Sequence, residues 1–312
     1  MSWILFAVVG HLLNAGAFVI DKVLLTSAFK KSSSYAAMIG GISLAVIVAL
    51  PWVKEWPSDA LLPIVAAFGA LFVFALWSFF EALKHGEASR VVPIVGSAIP
   101  IFTVIGTTLV LHERLTTVEW VGFALLLIAT VILSSGSSKK RLSVQSICYG
   151  VLSAVLFAVA SVCGKYAFEQ SSFLSVFVLS RVAAGFTGLV IAFVVPGTLA
   201  ELKGMMRPAK GSKRVKSEGL VTGRRAAIFA LIGQVSGALG FVGVTMALSQ
   251  GSASLVNALQ ATQYAFIVFV TWLGGERLRT LLHEEWGKKV IILKSLAILL
   301  VGIGLACISR SQ

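Results

Sequence analysis

ALSQGSASLVNALQATQYAFIVFVTWLGGERL, residues 247–278, restates an earlier stretch of the same chain, EALKHGEASRVVPIVGSAIPIFTVIGTTLVLHERL, residues 81–115. Ala82-Leu83, Gly86 and Ala88-Ser89 return as Ala247-Leu248, Gly251 and Ala253-Ser254. Each copy then crosses about twenty apolar residues and closes on Glu-Arg-Leu, at Glu113-Arg114-Leu115 and again at Glu276-Arg277-Leu278. A further apolar run follows each, 120–133 and 290–308. Landmarks that recur at matched separations indicate an internal duplication.

Composition sets the class. Hydrophobic residues make up 57% of the 312 and charged residues 12%. The charges fall between long apolar runs, and that pattern predicts an all-α polytopic membrane protein whose main partner is the lipid bilayer. The net charge of +13 does not argue for nucleic acid, because a basic footprint needs a soluble face to carry it. Cys148, Cys163 and Cys307 all sit in apolar segments without paired spacing, so neither a disulfide framework nor a metal site is indicated. The N-terminus lacks a basic region ahead of its first apolar run, and no cleavable signal is expected. No His-Glu-x-x-His, Gly-rich phosphate loop or Gly-x-Ser-x-Gly occurs, so the sequence offers no enzyme constellation and no cofactor site.

Ten apolar segments are long enough, at 1.5 Å rise per residue, to cross a hydrocarbon core of roughly 30 Å. In the first half they are 3–20, 35–53, 61–80, 91–111 and 120–135; in the second, 145–164, 173–199, 226–249, 253–275 and 290–309. Pro93 and Pro100 should kink the fourth. The division falls at a Ser/Gly/Lys-rich linker, giving repeats 1–138 and 139–312, with a basic loop at 203–225 in the second. Five spans is an odd number, so the second copy inserts upside down relative to the first. Inverted repeats of this kind place a site near the membrane midplane between the halves.

The stretch SAIPIFTVIGTTLVLHERLTTVEWVGFALLLIATVIL, residues 97–133, resembles the hallmark of the drug/metabolite transporter superfamily, specifically its EamA-domain proteins. There a small-residue-Pro segment, an apolar helix, Glu-Arg-Leu-Thr and a Gly-led helix follow in this order. Lys22 and Lys165 match the lysine that ends the family's opening helix, and Arg181 matches an arginine common in its second helix. The chain departs from the pattern at His11-Leu-Leu-Asn14, where the family has a Trp-Gly element. It departs again at Ala36, which stands where the second half has Arg181, and in the second half, which has no counterpart of Pro100. The resemblance implies a secondary transporter moving a small polar metabolite, such as an amino acid, nucleotide-sugar or drug-like solute, by alternating access. It also implies a multi-pass protein of the plasma (cell inner) membrane, monomeric or homodimeric, with a coupling proton or counter-substrate as further partner. A lipid-linked sugar flippase, or a non-transporting sensor on the same fold, stands as the alternative.

Candidate substrate-binding residues are the polar groups inside the spans. Asn257, Gln260, Gln263 and Tyr264 fall at i, i+3, i+6 and i+7 and share one broad helical face. An amide in lipid must find a partner or face a cavity, so the stripe is either interhelical glue or a substrate surface. The corresponding first-half helix offers Ser97 and Thr103 instead, which makes an asymmetric pocket. His11 and Asn14, at i and i+3 on the first span, could join it. Arg181, some eight residues into its span, reads either as a snorkelling structural charge or as an anion-recognising group; Glu81, near a helix end, reads as interfacial or as part of the site. The small-residue ladder Gly233, Gly237, Gly240 and Gly243 reads as a packing face.

Charge asymmetry gives an orientation. Twenty of the 26 Lys and Arg lie in the loops of one side, 22–31, 84–90, 139–141, 203–225 and 277–289. Only Lys54, Arg114, Lys165 and Arg310 lie on the other. The positive-inside rule therefore favours external termini, whereas the family resemblance suggests cytoplasmic ones.

Overall fold

The computed structural model of the protein describes residues 2–25, 31–86, 88–134, 143–206, 224–273, 275 and 288–311. The Glu276-Arg277-Leu278 motif, the 135–142 linker, most of the basic loop and the side chains of Asp21 and Lys22 lie outside the described residues. In chain order the elements are α1 (Ser2–Leu25), α2 (Ser32–Ser43) running on into the 3₁₀ stretch η1 (Leu44–Trp52), α3 (Leu62–His85), α4 (Ala88–Val110) and α5 (Thr117–Ser134). They continue as α6 (Val144–Gln170), α7 (Phe173–Val194), α8 (Thr198–Met206), α9 (Arg224–Gln250), α10 (Ala253–Ala258), α11 (Ala261–Leu273) and α12 (Lys288–Arg310). No strand occurs among the described residues.

Eight helical segments are long and apolar enough to cross a membrane among the described residues, and two further apolar helices, Ser2–Ala17 and Val235–Gln250, are shorter. Their outer faces carry bare hydrocarbon: Val48, Leu109, Phe193 and Leu299 are among many large apolar side chains left exposed. In water such a surface would aggregate; a bilayer covers it.

The closest packing joins helices from opposite halves of the sequence: α1 against α9, α3 against α6, α2 against α7 and α5 against α12. Lipid gives helices no hydrophobic reason to associate, so small residues that allow backbone contact decide where they cross. At the α2–α7 crossing a Cβ on Gly188 would lie 2.8 Å from both Ala37 O and Gly41 N. At the α1–α9 crossing a Cβ on Gly243 would lie 3.1 Å from Gly10 Cα, and one on Gly10 would meet Gly240 O at 2.8 Å. The Gly240 and Gly243 rungs of the ladder are thus occupied by the α1 backbone.

Several boundaries differ from the expectation. The 173–199 segment stops being α7 at Val194, because Pro196 has no N–H to donate and Gly197 turns the chain at φ 77. The chain then forms α8, which runs into the region read as loop. The 35–53 segment changes from α to 3₁₀ at Leu44. The fourth span is assigned as one helix containing both Pro93 and Pro100, and a break in the helix falls in the ninth, between α10 and α11.

One end of the bundle is tied by short polar contacts. Lys31 Nζ donates to Pro196 O at 2.7 Å, Ser33 and Thr198 hydroxyls meet at 2.8 Å, and Ser34 Oγ donates to Glu201 at 2.7 Å. Ser143 Oγ, at the start of α6, donates to His85 O at 3.0 Å on the same end. Among the described residues, Lys31, Lys84 and Lys203 make this a basic end of the bundle.

Candidate functional site

The polar stripe sits where the ninth span breaks. In a continuous helix Gln260 N–H would donate to Val256 O, four residues back. Here it donates to Asn257 O at 3.2 Å, and Thr262 and Gln263 repeat the three-residue step, to Leu259 O and Gln260 O at 2.9 Å each. The tightened turn leaves Val256 O for another donor. His11 Nε2, from α1, lies 3.0 Å from it. With Nε2–H donating there, the neutral ring keeps its lone pair on Nδ1, and Nδ1 is buried with no hydrogen-bond partner. Irregular backbone at membrane depth is tolerated only in protein or against a cavity.

A cavity is what it faces. A chamber of about 300 Å³ is lined on its polar side by His11, Asn14, Asn257, Gln260, Gln263 and Tyr264. The structure therefore brings together, from α1, α10, α11 and the turn between the last two, six of the eight residues the sequence singled out. The remaining wall is mostly apolar, with Phe68, Phe72, Phe79, Phe157 and Phe241 among its side chains beside Ser161 and Thr245. Its volume is at the lower end of the range for small-molecule sites, roughly 300–1,000 Å³. Polar groups on one wall and aromatic rings on the other suit a small amphipathic solute.

The stripe is not uniform. Asn257 spends both amide hydrogens on neighbouring helices, donating to Thr103 Oγ1 on α4 at 2.9 Å and to Ser161 Oγ on α6 at 3.1 Å. It fastens three helices while lining the chamber, so glue and cavity surface coexist in one side chain. Gln260 makes only a long bond, Nε2 to Tyr264 Oη at 3.3 Å. The Tyr264 ring lies directly over Gly96, where a Cβ would meet Cζ at 3.1 Å; a side chain at 96 would drive the ring into the chamber. Ser97 donates back to Pro93 O at 2.7 Å and does not line it.

Arg181 and Glu81 lie elsewhere. Glu81 accepts from Ser32 Oγ and faces His85 Nε2 at 3.7 Å, at the basic end of the bundle. Arg181 does not snorkel: it is 5% exposed, with its guanidinium carbon 4.3 Å from the Phe241 ring centroid, 4.7 Å from Phe72 and 5.6 Å from Phe68. Placing a charge at helix centre costs roughly 2.5–3.5 kcal/mol on insertion scales, and each desolvated cation–π contact returns on the order of 1–2 kcal/mol, so three rings offset the burial. They do not satisfy the N–H groups. Nε and Nη2 are buried without a hydrogen-bond partner.

Reading the sequence for polar residues overlooked this aromatic wall. Its signal was present: Phe68, Phe72, Leu76 and Phe79 stand at i, i+4, i+8 and i+11 on α3, one face of a helix. Ser161 carried no comparable signal, being one of three serines in α6.

The comparisons agree with this architecture. Residues 1–135 match the model of the EamA-like transporter family. No curated protein matches the chain. A solved structure, titled only as the crystal structure of a protein, aligns at 15% identity over 99% of this chain and 96% of its own, with a TM-score of 0.67; a likeness at that identity speaks to the fold alone.

Proposed function

On the premise that residues 1–135 belong to the EamA-like transporter family, we propose that this membrane protein is a secondary carrier that moves a small polar metabolite across the plasma membrane by alternating access. In this reading ten helices cross the bilayer, eight of them long in the described residues and two shorter. They form two inverted five-helix repeats, 1–138 and 139–312. The pairing of each major helix with one from the other half supports that arrangement, because inverted repeats enclose a site between them.

The observation that carries the proposal is the broken α10–α11 helix, whose three-residue turns put Asn257, Gln260 and Tyr264 on a chamber shared with His11 and Asn14. Discontinuous helices are where carriers of this general design coordinate their cargo. A chamber of about 300 Å³ favours a small solute over a lipid-linked sugar. No catalytic role is assigned to any residue. Asn257, Gln260, Gln263, Tyr264, His11 and Asn14 contact the solute; Glu81 belongs to the ties at the basic end.

The test is counterflow of a radiolabelled panel of small metabolites into proteoliposomes holding the full chain. Accumulation against preloaded unlabelled solute, lost in Gln260→Ala, is the expected result. A chain that binds members of the panel without counterflow would be a sensor instead.

A further inference from the structure

We propose that Arg181 is the anion-recognition residue of the chamber, and that the cargo is a monoanion, a carboxylate carried on a compact apolar body. This rests on the chamber being the transport site and adds the chemical class of what enters it.

The two unpartnered nitrogens carry the argument. Nε and Nη2 lie on one edge of the guanidinium, and their two N–H bonds point the same way. That edge is the planar fork which meets both oxygens of a carboxylate in parallel hydrogen bonds. The structure leaves both of these donors empty at once while the side chain is 5% exposed. No ion pair with a carboxylate is formed by Arg181 among the described residues. Three aromatic faces hold the cation in place but, being acceptors of charge and not of a fork, leave its directional bonding unused.

The position fits an incoming ligand. Phe68, Phe72 and Phe241 hold the guanidinium and also line the chamber, so Arg181 stands directly behind the chamber wall. Phe72 and Phe241 meet edge to face with centroids 5.1 Å apart and an interplanar angle of 64°, and recognition by Arg181 requires one of these rings to turn aside as the solute enters. The charge on offer is single. Among the residues lining the chamber there is no lysine, arginine, aspartate or glutamate, and His11 is the one titratable side chain besides Tyr264. A single fixed cation behind the wall of an otherwise uncharged, aromatic chamber selects a monoanion over a dianion such as a phosphate monoester. It also selects a body that packs on phenyl rings.

The experiment measures binding of matched pairs to the full chain in nanodiscs by calorimetry: 3-phenylpropionate against 3-phenylpropionamide, and hexanoate against hexanamide. Each pair differs only in the anionic group. The unmodified chain should bind the acids about tenfold or more tightly than the amides. Arg181→Gln should bring the acid down to the affinity of its amide while leaving the amide within about twofold, which also reports an intact fold. Arg181→Lys, which keeps the charge without the fork, should lose most of the preference. Equal binding of acid and amide by the unmodified chain overturns the inference, as does binding of neither, and as does a preference that survives Arg181→Gln. Gln260→Ala separates the two layers. If it weakens acid and amide alike while the unmodified chain does not distinguish them, the chamber stands and the role of Arg181 falls; if Gln260→Ala and Asn257→Ala leave both ligands unaffected, the chamber is not the site. Should Arg181→Gln fail to elute as a single species, the acid–amide comparison on the unmodified chain decides.

Discussion

Replacing Asn257 by alanine should weaken the fold and the site together, and the two effects have separable sizes. Its amide donates to Thr103 at 2.9 Å and Ser161 at 3.1 Å. Interhelical hydrogen bonds inside membranes average about 0.6 kcal/mol, and a typical neutral bond in a protein contributes about 1 kcal/mol. Losing both therefore costs roughly 1–2 kcal/mol, and at about 2–4 °C of melting temperature per kcal/mol the detergent-solubilised chain should melt roughly 2–8 °C lower. Thr103 keeps its own bond to Ile99 O at 2.8 Å, so the truncation strands no donor there and the cost should stay at the low end. Ser161→Ala should cost about half as much, roughly 0.5–1 kcal/mol. In a double-mutant cycle the combination of Asn257→Ala with Ser161→Ala should fall short of the sum by a similar amount. Fluorescence-detected size-exclusion after graded heating measures all three variants on unpurified material. An Asn257→Ala chain with unchanged melting, or strictly additive losses, would refute the bridging role.

Three further outcomes are expected. Gln260→Ala and Tyr264→Phe remove groups joined only by a 3.3 Å bond, so counterflow should fall severalfold while the melting temperature moves by no more than about 2 °C; a large melting shift with full transport would make them packing residues. Gly188→Val puts side-chain atoms against the Ala37, Gly40 and Gly41 backbone of α2, and overpacking should destabilise the chain by about 1–3 kcal/mol, seen as a lower melting temperature with the cavity residues intact. Orientation follows from the positive-inside rule: Ser212→Cys, in a background lacking Cys148, Cys163 and Cys307, should resist an impermeant maleimide in intact cells and react after permeabilisation. Reaction in intact cells would reverse the topology.

What the sequence by itself determined is what depends on short-range pattern. The long uncharged runs, the repeated Ala-Leu/Gly/Ala-Ser landmarks and the i, i+3, i+7 spacing of Asn257, Gln260 and Tyr264 are local, and hydropathy and helical period translate them directly into apolar helices and a polar face. The tertiary structure decided three things that no local pattern contains. Leu259 and Gln260 carry no Gly or Pro to mark a break, yet the helix tightens there, because His11 from a segment some 245 residues away takes up the Val256 carbonyl that the tightening releases. Asn257 became both fastener and cavity wall only when α4 and α6 brought Thr103 and Ser161 within reach. Arg181 looked free to snorkel from its place in α7, and it is instead held inside by Phe68 and Phe72 of α3 and Phe241 of α9. In each case the deciding partner belongs to another helix, and which helices meet is set by where small residues such as Gly10, Gly188 and Gly240 let backbones touch, a pairing that lipid, being as apolar as the side chains, leaves to shape alone.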